Sequence, residues 1–265
     1  MADYGRIECD GLVSWVTERG GEVLPLPDAP WRTPEPVAGA RPFDPLELRW
    51  LPPVAPGKVI CVGRNYRAHA AEHAAEVPKE PLLFLKAPTA LLASGEQVLL
   101  PPESSRVEVE GELAVVIGRR CRRRPADADP GDVLLGWLCA DDVTARDLQR
   151  ADGQWARGKS FDTFCPVSRL VRTVAPAPGA VLETRLQRGG EAAEVRQRAP
   201  LSDMVFSVGR LIAHASAAMT LEPGDLLLTG TPAGVFPVEE DDRVAVSVEG
   251  LVPLEHGVTR EGAPA

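Results

Sequence analysis

Short runs of β-branched or alternating apolar residues, separated by turn-forming residues, fill most of the chain from about residue 58 onward. The clearest runs lie at residues 58–63, 81–87, 96–101, 106–118, 133–143, 225–230 and 243–252. Runs of this length and composition are typical of β-strands. The predicted helices are too few to alternate with these strands one for one, so the pattern favours a strand-rich α+β fold over a doubly wound parallel sheet.

Three segments predict helices. Residues 64–76 are rich in alanine, and residues 203–219 carry apolar positions three and four apart before the breaker sequence EPGD. Both patterns are typical of short amphipathic helices. A third helix is predicted from Thr144, which lies three residues before Asp147 and so resembles the start of a capping box.

The first part of the chain has a different character. Strand-like pieces (YGRIE, LVSWV and GEVLPL) precede a Pro-rich passage. We therefore predict a small N-terminal β unit with its linker at residues 1–52, followed by a main domain at residues 53–265 that carries the chemistry.

The composition limits the partners. The chain has 265 residues and a net charge of −9, which argues against nucleic acid or an anionic membrane as the main partner. No apolar run approaches the ~20 residues of a membrane-spanning helix, and the first residues lack the apolar core of a signal peptide. The five cysteines are scattered without C-x-x-C spacing. We therefore expect a cytoplasmic protein without disulfides, structural zinc or a membrane partner.

Three glutamates, Glu108, Glu110 and Glu112, alternate with small or apolar residues in the segment VEVEGELAVV. In a strand this spacing places all three carboxylates on one face. They can form a solvated face, or they can lie buried opposite positive charge, since an unpaired buried carboxylate is costly. The apolar run that follows favours a core strand.

A second acidic pair, Asp141 and Asp142, lies where a predicted strand gives way to a predicted helix. Such a position suits either a ligand of a hard divalent ion or a simple helix N-cap. Two carboxylates from one strand and one from another would form a three-oxygen face for Mg²⁺ or Mn²⁺. No His or Cys lies beside them, which disfavours zinc.

Two other segments carry weaker signals. Lys159, in the stretch WARGKSFDTFCP, can hold a carboxylate or an enolate oxygen, or can be a surface lysine. Gly230 and Thr231 begin a strand-to-loop transition whose N–H groups and hydroxyls suit a carboxylate. This loop lacks the G-x-x-x-x-G-K pattern of a phosphate loop.

Residues 63–73, GRNYRAHAAEH, contain two of the four histidines. His69, Glu72 and His73 match the H-x-x-E-H pattern of a zinc protease, but no later residue supplies an obvious third ligand. His69 and Glu72 are also i,i+3 neighbours, so the glutamate can orient the imidazole as a general base. We favour this second interpretation, with the pair on a short helix that closes over a substrate.

The ordered set of segments resembles the fumarylacetoacetate hydrolase family from about residue 57 to 252. The blocks that carry the resemblance are GRNYRAH, EPLLFLK, VEVEGELAVVIG, ADDVTARDLQ, GKSFDTFCP, SDMVFSV and LEPGDLLLTGTPAGV. The layout is similar to members described as 2-hydroxyhepta-2,4-diene-1,7-dioate isomerases and to the acylpyruvase and oxaloacetate decarboxylase branch.

The resemblance implies a mixed β-roll or sandwich core with few helices and a site for Mg²⁺ or Mn²⁺. Block by block, it implies the metal ligands Glu110, Glu112 and Asp142. It further implies Lys159 as the active-site lysine and His69 with Glu72 as the lid pair. The implied substrate contacts are Arg64, Tyr66, Gln149 and Thr231, to which the loop argument adds Gly230.

The function implied is Mg-dependent hydrolysis of the C–C bond of acylpyruvate-type 2,4-dioxo acids through a metal-stabilised enolate. Decarboxylation of oxaloacetate-like substrates and isomerisation of 2-hydroxy-diene dioates stay open on the same site. A non-catalytic metabolite-binding protein is the alternative of another class. The expected partner is a small anionic 2-oxo acid, and family members are commonly homodimers.

Overall fold

A computed structural model of the chain describes residues 2–72 and 76–262. Its strands are β1 (Asp3–Cys9), β2 (Leu12–Arg19), β3 (Glu22–Pro25), β4 (Arg49–Leu51), β5 (Val59–Gly63), β6 (Leu82–Lys86), β7 (Leu91–Ala93), β8 (Gln97–Leu100), β9 (Val107–Val109), β10 (Gly111–Ile117), β11 (Leu134–Asp141), β12 (Thr144–Ala145), β13 (Cys165–Val167), β14 (Leu170–Arg172), β15 (Val181–Gln187), β16 (Glu194–Pro200), β17 (Leu226–Leu228), β18 (Phe236–Pro237), β19 (Arg243–Val248) and β20 (Leu254–Arg260). The α-helices are α1 (Arg67–Glu72), α2 (Arg146–Asp152), α3 (Ala156–Lys159) and α4 (Val208–Ala218).

The strands of the described ranges form three sheets. The largest has the order β3-β2-β1-β14-β11-β10-β17-β5-β6, with β4, β7 and β13 attached beside this path. The second has the order β12-β9-β18, and the third has the order β16-β15-β19-β20-β8. This strand-rich, mixed architecture with few helices confirms the predicted α+β fold.

Strand β10 is central to the large sheet. All seven of its residues are buried, and it pairs antiparallel with both β11 and β17. Because both faces of β10 are covered, its sequence GELAVVI is apolar almost throughout and lacks the alternation of a half-exposed strand. The main hydrophobic core packs along this strand and its neighbours.

Helix α4 covers one part of the large sheet. Its residues Leu211, Ile212 and Ala215 join the cluster that contains Ile60 and Val115 of the sheet. Ser207 caps its N-terminus by accepting a hydrogen bond from the backbone N–H of Arg210. The predicted helix at 203–219 is therefore present, although the regular α-helix begins five residues later than predicted.

Two helix predictions need correction. The helix predicted at 64–76 is shorter, because α1 spans Arg67–Glu72, and residues 73–75 lie outside the described residues. The capping box at Thr144 is wrong, since Thr144 lies in β12 and its hydroxyl donates to the carbonyl oxygen of Asp142. Asp147 instead accepts hydrogen bonds from Ser104 and Ser105.

The N-terminal strands are part of the large sheet, in which β1 lies between β2 and β14. Ile7, Val16 and Val23 form a separate small apolar cluster within this region. The division into residues 1–52 and 53–265 stays a prediction. No helix of the described residues is long and apolar enough to cross a membrane.

Candidate functional site

A cavity of about 340 Å³ opens beside the end of β10. Its lining combines acidic, basic and aromatic side chains from segments that are far apart in the sequence. The lining residues are Val62, Gly63, Arg64, His69, Phe84, Glu110, Glu112, Asp142, Arg146, Gln149, Arg150, Gly153, Trp155, Lys159 and Thr231.

Three carboxylates meet at one side of this cavity. One oxygen from each of Glu110, Glu112 and Asp142 lies within 4.8 Å of the others. The sheet register explains this convergence, because β10 and β11 run antiparallel with Gly111 opposite Asp141. The predicted set of three acidic groups is therefore brought together. Their role as metal ligands stays a prediction.

The segment with the alternating glutamates is two strands rather than one. Glu110 lies between β9, which belongs to the three-stranded sheet, and β10, which belongs to the large sheet. Glu108, Glu110 and Glu112 are all buried, so the interpretation as a solvated strand face is wrong. Their burial requires positive charge nearby.

Two buried lysines supply part of that charge. Lys159 Nζ lies 2.7 Å from Glu110 Oε2 and 2.6 Å from Asp142 Oδ2. Lys86 Nζ lies 2.6 Å from the other oxygen of Asp142. Burial opposes the charge on Lys159, but Asp142 and Glu110 outweigh it and raise the pKa of the ammonium to about 12. Lys159 is therefore a fixed cation at ordinary pH and not a surface lysine.

Arg146, at the start of α2, supplies the rest of the positive charge beside the buried carboxylates. Its Nε lies 2.6 Å from Glu108, and its Nη2 contacts Glu110. Its Nη1 donates to the side-chain oxygen of Gln149 at 2.7 Å. Burial would raise the pKa of Glu110, but Lys159 and Arg146 together lower it below the ordinary value. Glu110 is thus held ionised.

Glu112 has a different environment. Its Oε2 accepts a hydrogen bond of 2.6 Å from the backbone N–H of Gly230. Burial, followed by the like charges of Asp142 and Glu110, raises the pKa of Glu112 well above its ordinary value. A cation shared by the three carboxylates would relieve this repulsion, and carboxylate oxygens suit hard ions such as Mg²⁺ and Mn²⁺. The donor set therefore fits a divalent metal ion.

The predicted acid/base pair lies on α1. His69 is buried, lines the cavity and has its Nδ1 3.5 Å from Glu72 Oε2. Glu72 is exposed, and its carboxylate accepts from the backbone N–H of Gly234 at 3.1 Å. His73 lies outside the described residues. The structure thus brings His69 and Glu72 together, and it connects α1 to the loop after β17.

The predicted substrate contacts fall into two groups. Arg64, Gln149 and Thr231 line the cavity. The hydroxyl of Thr231 already donates to the carbonyl oxygen of Gly111 and accepts from Gln197. Tyr66 and Gly230 do not line this cavity: Tyr66 is buried beside a separate cavity next to α1, and Gly230 donates to Glu112. Their roles as substrate contacts stay predictions.

Asp141 and Asp142 have different surroundings, which the sequence could not assign. Asp142 points to the two lysines. Asp141 accepts from the backbone N–H of Glu110 and lies 2.8 Å from Nε2 of His256. Asp141 is therefore neither at the acidic cluster nor a cap of α2, which has no side-chain cap.

Sequence reasoning did not assign a role to Lys86 or Arg146. Both were inside recognised blocks, EPLLFLK and ADDVTARDLQ. The signal that could have found them is charge: the three acidic residues expected at the metal site, with Glu108 on the same predicted strand face, require more positive charge than Lys159 alone when they are buried.

Fold and site together define a class of protein: an α+β chain with a buried acidic centre that could hold a divalent metal ion. The chain belongs to the fumarylacetoacetate hydrolase family, since the family model described as "Fumarylacetoacetate (FAA) hydrolase C-terminal" matches residues 58–259. The resemblance expected from the sequence blocks is confirmed.

Characterised relatives of the chain are enzymes. It is 40% identical to the mitochondrial oxaloacetate tautomerase FAHD1 of Bos taurus over 207 residues, which are 76% of this chain and 91% of that protein. The structure of 2-hydroxyhepta-2,4-diene-1,7-dioate isomerase from Mycobacterium marinum matches with a TM-score of 0.86 and 38% identity, covering 99% of this chain and 100% of the other. Fumarylpyruvate hydrolase from Pseudomonas aeruginosa, in complex with Mn²⁺ and pyruvate, matches with a TM-score of 0.70 and 32% identity, covering 78% and 91%.

Proposed function

We propose that this protein is a divalent-metal-dependent hydrolase that cleaves the bond between C3 and C4 of acylpyruvate-type 2,4-dioxo acids. The observation that carries the proposal is the convergence of Glu110, Glu112 and Asp142 on one cavity that also contains Lys159 and His69. The cavity of about 340 Å³ suits a small acid. The Pseudomonas aeruginosa relative with Mn²⁺ and pyruvate supports this substrate class.

Glu110, Glu112 and Asp142 would hold the metal ion, which is Mg²⁺ or Mn²⁺. When bound, a divalent ion supplies Lewis-acid chemistry that polarises the oxygens of a 2-oxo acid. The net charge of the chain, −9, is no obstacle to an anionic substrate, because Arg64, Arg150 and Lys159 place positive charge along the cavity.

Lys159 holds a positive charge where negative charge develops during the reaction. Its ammonium is anchored by Glu110 and Asp142 and lies 5.0 Å from the ring centre of Phe84. A buried, preorganised cation of this kind stabilises an oxyanion more than a solvated one does.

His69 acts as the general base, and Glu72 orients it. The imidazole takes a proton from water, the water oxygen bonds to C4, and the C3–C4 bond breaks. The electron pair of that bond passes to the pyruvate fragment, and C3 then takes up a proton. The products are pyruvate and the carboxylic acid of the acyl group, so the atoms of one water molecule are accounted for.

A second candidate is the conversion of oxaloacetate-like diacids, by tautomerisation or decarboxylation. Arg64 and Arg150, which line the same cavity, favour it because they can bind a second carboxylate. The similarity to the Bos taurus oxaloacetate tautomerase supports this reading. Isomerisation of a 2-hydroxy-diene dioate would use the same charges.

The homodimer stays a proposal. Strand β6 lies at an edge of the large sheet and exposes Leu82 and Leu85, which are 38% and 45% accessible. An exposed apolar edge strand is suited to pairing with another chain.

The test is turnover with Mg²⁺ or Mn²⁺ on acetylpyruvate, fumarylpyruvate and oxaloacetate, followed as loss of substrate. We expect hydrolysis of a 2,4-dioxo acid, and we expect His69→Ala to lower kcat by about 10²–10⁴. The variant should still exchange the C3 protons, seen as deuterium uptake, because that step depends on the metal ion and Lys159.

His214→Ala is the matched control, since His214 lies on α4 and does not line the cavity. It should hydrolyse at the wild-type rate. Turnover of oxaloacetate alone would favour the second candidate. No turnover of any of the three at micromolar enzyme would favour a non-catalytic binding protein.

A further inference from the structure

A buried pair of side chains, Asp141 and His256, lies directly behind the acidic centre. Asp141 Oδ2 is 2.8 Å from His256 Nε2, and both side chains are fully buried. Neither residue lines the cavity that contains the carboxylates. The proposed chemistry does not use them, so their contacts need another explanation.

Asp141 compensates for the interruption between β9 and β10. The chain changes sheets at Glu110, so the backbone N–H of Glu110 is buried where the ladder is broken and requires an acceptor. Asp141 Oδ1 accepts this N–H at 2.9 Å. One residue further on, the backbone N–H of Asp142 donates to the carbonyl oxygen of Glu110 at 3.0 Å. These two hydrogen bonds fix the position of the Glu110 backbone relative to the backbone of Asp142.

His256 in turn fixes Asp141. A ring N–H of histidine can donate to a carboxylate oxygen, and the 2.8 Å separation of His256 Nε2 and Asp141 Oδ2 suits this hydrogen bond. The other ring nitrogen, Nδ1, lies 3.1 Å from the carbonyl oxygen of Gly257. His256 lies in β20 of the five-stranded sheet. The contact therefore connects the five-stranded sheet to the start of β10 and the end of β11, where Glu110 and Asp142 lie.

We propose that His256 is a positioning residue, which acts through Asp141 to hold Glu110 and Asp142 in the geometry that binds the metal ion. The inference rests on the metal site of the proposed function. A histidine that merely fills space in the core would stabilise the fold but would not affect the Glu110 amide or metal affinity in particular.

The variants follow from the hydrogen bond. His256→Leu removes the donor to Asp141, whereas His256→Gln keeps an N–H donor. Leucine and glutamine are similar in size to histidine, so either side chain can occupy the place of the buried imidazole with little change in packing. His214→Leu, on α4, is the matched control for loss of a histidine elsewhere.

Two measurements are made on each full-length variant: Mn²⁺ affinity by calorimetry, and hydrogen exchange of the Glu110 amide in the metal-free protein. We expect His256→Leu to weaken Mn²⁺ binding about 10- to 100-fold, as substitutions behind metal ligands commonly do, and to accelerate exchange at Glu110. His256→Gln should retain most of the affinity and protection, and His214→Leu should match the wild type in both.

Wild-type affinity and wild-type Glu110 protection in a folded His256→Leu protein would overturn the inference. Equal losses in the Gln and Leu variants would also overturn it. If His256→Leu does not fold, Asp141→Asn and Asp141→Ala replace the pair, because Asn keeps the acceptor for Glu110. Wild-type Mn²⁺ binding by Asp141→Ala would then reject it. If the wild type binds no Mn²⁺, the proposed metal site fails, and Glu110 exchange alone decides the positioning role.

Discussion

At the scale of single residues, the buried carboxylates of the acidic centre differ in how much positive charge lies beside each of them. Glu108 and Glu110 contact Arg146, and Asp142 contacts two lysines. Glu112 receives only the backbone N–H of Gly230 among the hydrogen bonds of the described residues. The metal ion is therefore expected to matter most to Glu112. Function and stability oppose each other at this position.

We expect Glu112→Gln to raise the Tm of the metal-free protein and to weaken Mn²⁺ binding. The amide keeps an oxygen for Gly230 but removes a buried like charge. A gain of about 1 kcal/mol corresponds to about 2–4 °C in a chain of this size. Glu108→Gln is the control, because Glu108 has two arginine partners and its loss should lower the Tm. A lower Tm for metal-free Glu112→Gln would contradict this account of the site.

The same charge gives a pH dependence. Because the folded pKa of Glu112 lies above the ordinary 4.5, the folded state binds more protons than the unfolded state from about pH 4.5 up to that folded pKa. Stability is therefore lost as the pH rises through this window. The Glu112→Gln variant should not show this loss of stability, because glutamine does not titrate. Its advantage in urea unfolding over the metal-free wild type should grow above pH 4.5, and a constant difference would refute the charge explanation.

At the scale of elements, the loop after β17 connects the acidic centre to α1. Gly230 donates to Glu112, and Gly234 donates to Glu72. Gly234 has φ +97°, and a Cβ there would lie 2.1 Å from the carbonyl oxygen of Arg196. Only glycine fits, so this backbone position helps to place α1.

We expect Gly234→Ala to destabilise the protein and to lower hydrolysis, because the loop must move away from Glu72. Gly250→Ala is a matched control: φ is +88° and no atom lies within 4 Å of the added Cβ. The control carries only the strain of a left-handed alanine, about 1–2 kcal/mol. Equal losses in Tm and equal activity for the two variants would show that the close contact at Gly234 has no consequence.

At the scale of the whole molecule, the N-terminal strands belong to the large sheet but contribute no residue to the cavity. Every lining residue of the cavity lies between Val62 and Thr231. The N-terminal strands join the rest of the large sheet through the pairing of β1 with β14, and β14 pairs with β11, which ends at Asp141.

Removal of residues 1–52 should therefore lower the Tm while Mn²⁺ binding is retained. The deletion uncovers one edge of β14 and removes the cluster around Ile7, but it takes nothing from the cavity. Thermal unfolding and calorimetry on the truncated chain test this. A folded truncated chain without Mn²⁺ affinity would show that the N-terminal unit supports the site.

Local patterns predicted much of the fold. Each of the seven predicted strand segments contains a strand. Runs of β-branched residues between turn-forming residues favour a strand through their local composition alone. Among the longer strands, β15, β16 and β20 were not predicted. β16 has the sequence EVRQRAP, in which four of the seven residues are polar, so its pairing with β15 comes from the tertiary structure rather than from its own composition.

The sequence by itself determined the residue types of the site: alternating glutamates, an aspartate pair, one lysine and a His/Glu pair at helical spacing. Only the tertiary structure decided which of them meet. The break at Glu110, the separation of Asp141 from Asp142, and the convergence of Lys86 and Arg146 depend on strand register and burial. Asp141 and His256 are 115 residues apart in the sequence. Contacts of this kind cannot be predicted from local periodicity, because a sequence pattern reflects only interactions between residues that are close along the chain.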